Sequence, residues 1–409
     1  MHDYRVDIGP NHRDCGTPFR KAAAALRIVV AFPRSRGLGA AEEAQKMASI
    51  DLQTGTVSES GAAFALDGRR FNRHTFWCGQ SGSGKTYALG VVLEQLLLRS
   101  GLPVVIMDPN SDFVGLGSPR EDAPADAAAR FRSDDIRVFR PRAEGAGRLV
   151  VRFVEMDLAS RAALLRLDPI EDAEEYHVLR ELDAEFGPQE GEGLIQALAR
   201  NEDPAYRRLM LRVENLGLLG WDVWAQGAAG VESVIDARPA ATVLDLGGFV
   251  HAEEPAAVAL AVLDRLWASR EQRRPVLIVV DEAHNLCPPD PVTPARVALC
   301  ERMIQIAAEG RKFGLWLLLS TQRPSKIHPQ VLSQCDNICL MKTNSPADLE
   351  SVQRLFGAVP AELLVEVPHF RQGQALFAGG FVSEACVVQL GPRITVEGGS
   401  DVAVPLRAE

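Results

Sequence analysis

Gly79-Gln80-Ser81-Gly82-Ser83-Gly84-Lys85-Thr86 combines glycines, a lysine and a hydroxyl in the spacing G-x-x-x-x-G-K-[ST]. Glycines at Gly79, Gly82 and Gly84 let the backbone curl so that successive N–H groups face phosphate oxygens, and a helix starting there adds its positive end. Lys85 is placed to reach the β- and γ-phosphates, and the Thr86 hydroxyl to bind Mg2+. The chemistry expected of this segment is binding of ATP with Mg2+. The alternative is a structural turn. The apolar strand before the segment and the helix after it favour the nucleotide site.

Hydrolysis needs an activated water as well as a bound triphosphate. Val276-Leu277-Ile278-Val279-Val280-Asp281-Glu282 is an apolar run ending in two carboxylates. Beside a phosphate loop, Asp281 would hold the Mg2+ shell and Glu282 would orient and polarise the attacking water. Such a pair can also merely end a strand. The run Trp316 to Thr321 is followed by Gln322, a polar amide at the strand edge where ligands sit in an open α/β sheet. Gln322 could contact the γ-phosphate or the water, or simply cap a loop. Charge developing on the γ-phosphate calls for an arginine, and Arg73, Arg311 and Arg323 are candidates against a plain solvated role. Arg73 precedes the strand before the phosphate loop, so it lies at the wrong edge of its own sheet and could act only on a neighbouring subunit. Asp108, in Met107-Asp108-Pro109-Asn110-Ser111-Asp112, ends another strand at the ligand edge; it could touch the metal shell, shape a loop or form a plain turn.

The elements that must position these groups alternate. His74 to Cys78 reads as a strand, Thr86 to Arg99 as a helix and Leu102 to Met107 as a strand, which predicts a parallel sheet of the α/β class. Gly117 to Glu144 reads as an acidic, alanine-rich loop or short helix, and Arg148 to Val154 as a strand. Residues 157–235 read as helical with breaks at Pro169, Gly187-Pro188 and Gly217, a helical insertion in the core. Further strands are expected at Thr242 to Leu246, Asn337 to Met341 and Gln374 to Ala378, with helices at Pro255 to Arg270 and Arg296 to Ala308. Residues 1–66 are expected to form a small β-containing module, with a strand at Leu26 to Phe32, a helix at Ala40 to Met47, and Gly55 and Gly61 as turn residues in Ser49 to Leu66. Residues 67–409 would be the ATPase domain.

Composition bounds the function. Over 409 residues, 46% are hydrophobic and 24% charged, as in an ordinary globular chain. No apolar run reaches the roughly 18 residues that span a bilayer, and the N-terminus does not read as a secretory signal, so a cytoplasmic protein with no membrane association is expected. The net charge of −10 argues against whole-surface attraction to nucleic acid, though a ring can carry a basic lining inside an acidic shell. Seven cysteines, several in apolar strand-like runs, suit reduced thiols better than disulfides. Cys335 and Cys339 could share a helix face as metal ligands, but core thiols are the expected reading.

In order along the chain, RHTFWCGQSGSGKT, MDPNSDF, VLIVVDEAHN, the stretch from Glu309 to Pro324 with its Gly-Arg-Lys-Phe-Gly and Thr-Gln-Arg-Pro, and the tail RITVEGGSDVAVP resemble the HerA-type branch of the HerA–FtsK ATPases. The resemblance implies a RecA-like fold and a hexameric ring that moves along or pumps duplex DNA, with a possible nuclease or defence effector as partner. It also implies an ATP site built from Lys85, Thr86, Asp281, Glu282 and Gln322, with Arg73 and Arg311 near a subunit boundary and a C-terminal tail that could brace a neighbour. Two departures stand out. Fewer residues precede the phosphate loop than in the family, and Asn-Ser-Asp-Phe follows the second strand where the family tends to have His/Lys-Gly-Glu-Tyr-like residues. The competing reading is a conjugation- or secretion-type ATPase that powers export. A third, a superfamily-two helicase with Asp281 to His284 as its box, lacks room for the second RecA-like domain it would need.

Overall fold

The structure is a computed structural model that describes residues 50–186, 198 and 201–399. The strand and helix expected within residues 1–49 lie outside the described residues. Among the described residues eleven strands form one sheet: β1 (Asp51–Val57), β2 (Ala63–Asp67), β3 (His74–Cys78), β4 (Val104–Asp108), β5 (Ile136–Phe139), β6 (Ala241–Asp245), β7 (Val276–Val280), β8 (Leu315–Thr321), β9 (Cys335–Met341), β10 (Gln374–Gly379) and β11 (Cys386–Leu390). Their order is β2-β1-β11-β10-β9-β3-β8-β7-β4-β6-β5. The run from β9 to β5 is parallel. Beyond β9 the sheet continues antiparallel through β10, β11, β1 and β2. The α/β class expected from the strand–helix alternation is borne out, as a large, mostly parallel mixed sheet.

Strands β3, β4, β6 and β7 are buried along their whole length because both faces of the sheet are covered, as parallel strands require. Helix α1 (Lys85–Arg99) lays Leu89, Val92, Leu93 and Leu96 on one face, against Trp77, Ile106 and Val279. Helices α2 (Glu254–Ala268) and α3 (Pro294–Glu309) cover the other, with Leu260, Leu263 and Met303 in the same core as Val105, Ile278 and Leu317. Burying a side chain of this size stabilises the fold by about 1.5–3 kcal/mol before entropy is counted. Helices Leu158–Leu164, Ala173–Phe186, Pro204–Asn215 and Glu232–Ala237 stand between β5 and β6, in the stretch expected as an insertion. Arg302 of α3 pairs with Asp157 just before the first of them and with Asp264 of α2 at 2.9 Å.

Several expectations are corrected. The boundary expected at residue 66 falls inside β2, and β1 pairs with β11, so residues 51–67 extend the ATPase sheet. The physical reason is an apolar face, Leu52, Phe64 and Leu66, that is buried in the same core as Trp77, Leu89 and Phe377. Gly61 lies in the expected turn, but Gly55 marks a bulge in β1, where a Cβ would stand 2.1 Å from the Gln389 carbonyl oxygen. Arg148 to Val154 is not a strand; it makes single bridges at Arg148 and Val151, and Leu149, Val150 and Val151 are apolar because they are buried. Cys335 and Cys339 sit in strand β9, not on a helix, and belong to the cores on opposite faces of the sheet.

The tail was expected to brace a neighbour. As far as it is described, it packs on its own chain. Arg393 and Glu94 of α1 form a fully buried pair at 3.2 Å, and Glu94 also accepts from the Ile394 and Thr395 amides at 2.7 and 2.9 Å. Val396 N–H then donates to the Ser118 carbonyl, and Gly398 N–H to that of Asp112.

Candidate functional site: a phosphate loop beside paired carboxylates

The chain leaves β3 at Cys78, turns through Gly79 to Gly84 and enters α1 at Lys85. Gly84 carries φ of +86° at the helix N-cap, a conformation costly for a residue with a Cβ. No side chain caps this helix, so the N–H groups of its first turn remain for an anion. Gly79 has no room for a side chain: a Cβ would meet Ser83 Oγ at 2.6 Å and Met341 Cβ at 2.8 Å. The loop is pinned on both flanks, with Gly79 and Gln80 N–H donating to the Thr321 and Lys342 carbonyls and Gly373 N–H donating to that of Ser83.

Strand order decides what faces the loop. β8 lies between β3 and β7, so the ends of three strands stand in a row at one edge of the sheet. With strands about 4.8 Å apart, Lys85 must reach across β8 to meet the carboxylates of β7. It does so, donating to Asp281 Oδ1 at 2.7 Å and Ser320 Oγ at 2.9 Å, with Glu282 Oε1 at 3.3 Å. Burial alone would lower the Lys85 pKa, but Asp281 and Glu282 outweigh it and hold the pKa above the usual lysine range. Glu282 adopts φ of +44°, rare for a non-glycine residue and the kind of strain that concentrates at functional sites. Its Oε1 accepts from Gln322 Nε2 at 2.7 Å, and His284 Nδ1 lies 3.2 Å from its Oε2. Burial would raise the Glu282 pKa, yet His284, Lys85 and Gln322 together hold it at about 2. His284 Nδ1 also contacts Thr321 Oγ1 at 3.0 Å, tying the β7 turn to the end of β8.

Thr86 donates to Asp112 Oδ2 at 3.3 Å. One carboxylate oxygen each from Asp108, Asp112 and Asp281 falls within 4.8 Å of the others. Burial, chiefly, pushes Asp108 to about 7 and Asp112 to about 6. Asp281 Oδ2 is buried without a hydrogen-bond partner among the described residues. Hard oxygen donors, an orphaned carboxylate oxygen and the neighbouring Thr86 hydroxyl fit Mg2+ rather than a softer metal.

The sequence-derived residues therefore divide into two places. Gly79 to Thr86, Asp281, Glu282 and Gln322 converge at the C-terminal edge of the strands, with Gln322 engaging Glu282. Arg73 and Arg311 lie at the opposite edge, where both approach Asp336 at the start of β9: Arg311 Nη1 at 2.6 Å and Arg73 Nε at 3.9 Å. The five residues of β3, at about 3.3 Å each, put roughly 16 Å between Arg73 and the phosphate loop. Neither arginine reaches the phosphate loop of its own chain. Arg323 is exposed beside Gln322. Sequence reasoning missed Ser320, His284 and Asp336. Ser320 carried a signal, a hydroxyl near the end of an otherwise apolar strand; His284 was read only as part of a helicase box, and Asp336 carried none.

A parallel sheet with a phosphate loop at the switch from β3 to α1 defines a P-loop NTPase. Residues 52–199 match the family model described as the central domain of helicase HerA. The probable DNA double-strand break repair helicase HerA of Methanocaldococcus jannaschii is 34% identical over 131 residues, 32% of this chain and 25% of that protein. The DNA double-strand break repair helicase HerA of Pyrococcus furiosus is 29% identical over 116 residues, 28% of this chain and 20% of that protein. The matched stretches thus span a quarter or less of these relatives' length. VirB4 of Thermoanaerobacter pseudethanolicus superposes with a TM-score of 0.58 at 16% identity, covering 84% of this chain and 96% of that one. The plasmid coupling protein TrwB, in complex with the non-hydrolysable ATP analogue ADPNP, superposes with a TM-score of 0.56 at 14% identity, covering 94% and 97%. At such identities these two structures show the fold alone. The resemblance to HerA-type P-loop ATPases read from the motifs is borne out by these matches over residues 52–199. No helix among the described residues is long and apolar enough to cross a membrane.

Proposed function

We propose that this chain binds Mg-ATP between the 79–86 loop and the Asp281-Glu282 pair, hydrolyses it, and uses the energy as a hexameric ring to move along or pump duplex DNA. The observation that carries the ATPase reading is the meeting of Lys85, Asp281, Glu282 and Gln322 at one sheet edge. The sequence similarity to HerA helicases supports the DNA reading. A bound triphosphate attracts Lys85 away from the carboxylates and offers Gln322 a γ-phosphate oxygen. Glu282, a weak base while three neighbours hold its pKa at about 2, then becomes free to take a proton from the attacking water. Thr86 and Asp281 would hold Mg2+, which would supply charge neutralisation for the phosphates. Arg73 and Arg311, remote from their own site, would complete a neighbour's. A partner nuclease or defence effector would act on the DNA that the ring delivers.

The test is ATPase rate against duplex DNA concentration on assembled protein. Stimulation by DNA, with binding that weakens steeply as salt rises because the contacts are to phosphates, is expected. A rate flat in DNA would reject translocation and favour the export-type reading.

A further inference from the structure

Asp112 lies where the chain departs from the family's usual residues, and ATP hydrolysis as proposed gives it no task. Its carboxylate accepts from the hydroxyl of Thr86 at 3.3 Å. One of its oxygens lies within 4.8 Å of carboxylate oxygens of both Asp108 and Asp281. Asp281, fully buried, spends Oδ1 on Lys85 and Ser320 and leaves Oδ2 without a partner among the described residues, beside this group. Among the described residues Asp108, Asp112, Asp281 and Glu282 gather around Lys85, an excess of carboxyl groups that a divalent cation would offset.

Asp108 is already committed. Its Oδ1 accepts from the amides of Asn110 and Asp112 at 3.2 and 3.0 Å, and its Oδ2 from Phe113 at 2.8 Å. These bonds build the turn that presents Asp112. Ser111 holds that turn at φ of +62°, and Gly398 N–H donates to the Asp112 carbonyl at 3.0 Å. A Cβ at Gly399 would stand 2.4 Å from Asp112 Oδ1, so the tail needs glycine where it passes this carboxylate.

We propose that Asp112 is a third protein group holding the divalent cation that accompanies the nucleotide, beside Thr86 and Asp281. The proposal rests on the Mg-ATP reading of the site. The turn built on Asp108 brings the short Asp112 side chain close to Thr86.

The experiment uses the full chain and a fluorescent ATP analogue, mant-ATP, titrated in excess Mg2+ and in EDTA. Asp112→Asn removes the charge and keeps the shape. Its affinity in Mg2+ should fall about tenfold or more, and the Mg2+ concentration for half-maximal binding should rise to match, while binding in EDTA stays at the wild-type level. Mn2+ bound with the analogue, read by electron paramagnetic resonance, should lose affinity in parallel, and Asp112→Glu should restore part of it. If Asp112→Asn does not fold, Asp112→Ser carries the same comparison, since the side chain is half-buried rather than packed in the core. Equal weakening with and without metal would make Asp112 only a positioner of Thr86 and overturn the proposal, as would an unchanged Mg2+ dependence. Analogue binding by Lys85→Ala as tight as by the wild type would instead overturn the Mg-ATP site itself.

Discussion

Replacing Glu282 by Gln separates binding from chemistry. The carboxylate now touches Gln322 at 2.7 Å, His284 at 3.2 Å and Lys85 at 3.3 Å. Glutamine is nearly isosteric but loses the charge and turns one acceptor into a donor. Lys85 keeps Asp281 at 2.7 Å and Ser320 at 2.9 Å, so the loop stays anchored. One competing anion is gone, and Lys85 is freer to meet phosphate. Nucleotide affinity should therefore hold or tighten, changing Kd by less than about fivefold, under 1 kcal/mol. The water loses its base, which should slow hydrolysis by about 10^2- to 10^4-fold. That corresponds to roughly 3–5 kcal/mol of barrier. Single-turnover hydrolysis of radiolabelled ATP measures the chemistry, and mant-ATP titration measures the binding. Glu282→Asp, which keeps the charge but withdraws it by about one bond length of 1.5 Å, should also turn over slowly. Hydrolysis by Glu282→Gln at the wild-type rate, on protein of unchanged assembly, would refute the assignment of the base.

Lys85→Ala subunits, which cannot bind ATP, mixed with Arg73→Ala subunits should regain ATPase activity that neither has alone, because an intact Arg73 is donated across the boundary; mixtures that assemble yet stay inactive at every ratio would refute donation in trans. Arg393→Met should cost about 3–5 kcal/mol of stability in urea denaturation, since Glu94 is left buried and unpaired, and a loss under about 1 kcal/mol would show the pair to be dispensable. Glu232, whose pKa burial raises from 4.5 to about 7, binds its proton more tightly when folded. Its contribution is thus complete below pH 4.5 and is lost as pH rises through 7, so stability should fall across that window by up to about 3 kcal/mol on its account. Glu232→Gln should flatten that part of the profile, and an unchanged slope would count against the shift.

The phosphate loop and the Asp281-Glu282 pair were legible because each is local. Glycines at Gly79 and Gly84 answer to backbone geometry within a few residues, and an apolar run closing in two acids announces a strand that delivers charge to one edge. Arg73 was legible for the same reason: a residue before a strand and a loop after it must stand at opposite ends, and Arg311 proved to share that end. The paired partners were not legible. Ser320 and Gln322 meet Lys85 and Glu282 only because β8 is inserted between β3 and β7, and strand order is set by how helices pack on the two faces, not by any nearby residue. Residues 51–67 join the sheet because β11 offers an edge more than 300 positions further along the chain. The contact of Asp112 with Thr86 depends on a turn closed by Asp108 and on the tail passing at Gly398, and the burial of Glu94 depends on Arg393, 299 residues away. Local sequence determined which chemistry the chain carries, because propensity and motif spacing act within a few residues; which side chains restrain one another was decided by tertiary packing, which alone brings distant segments within hydrogen-bond reach.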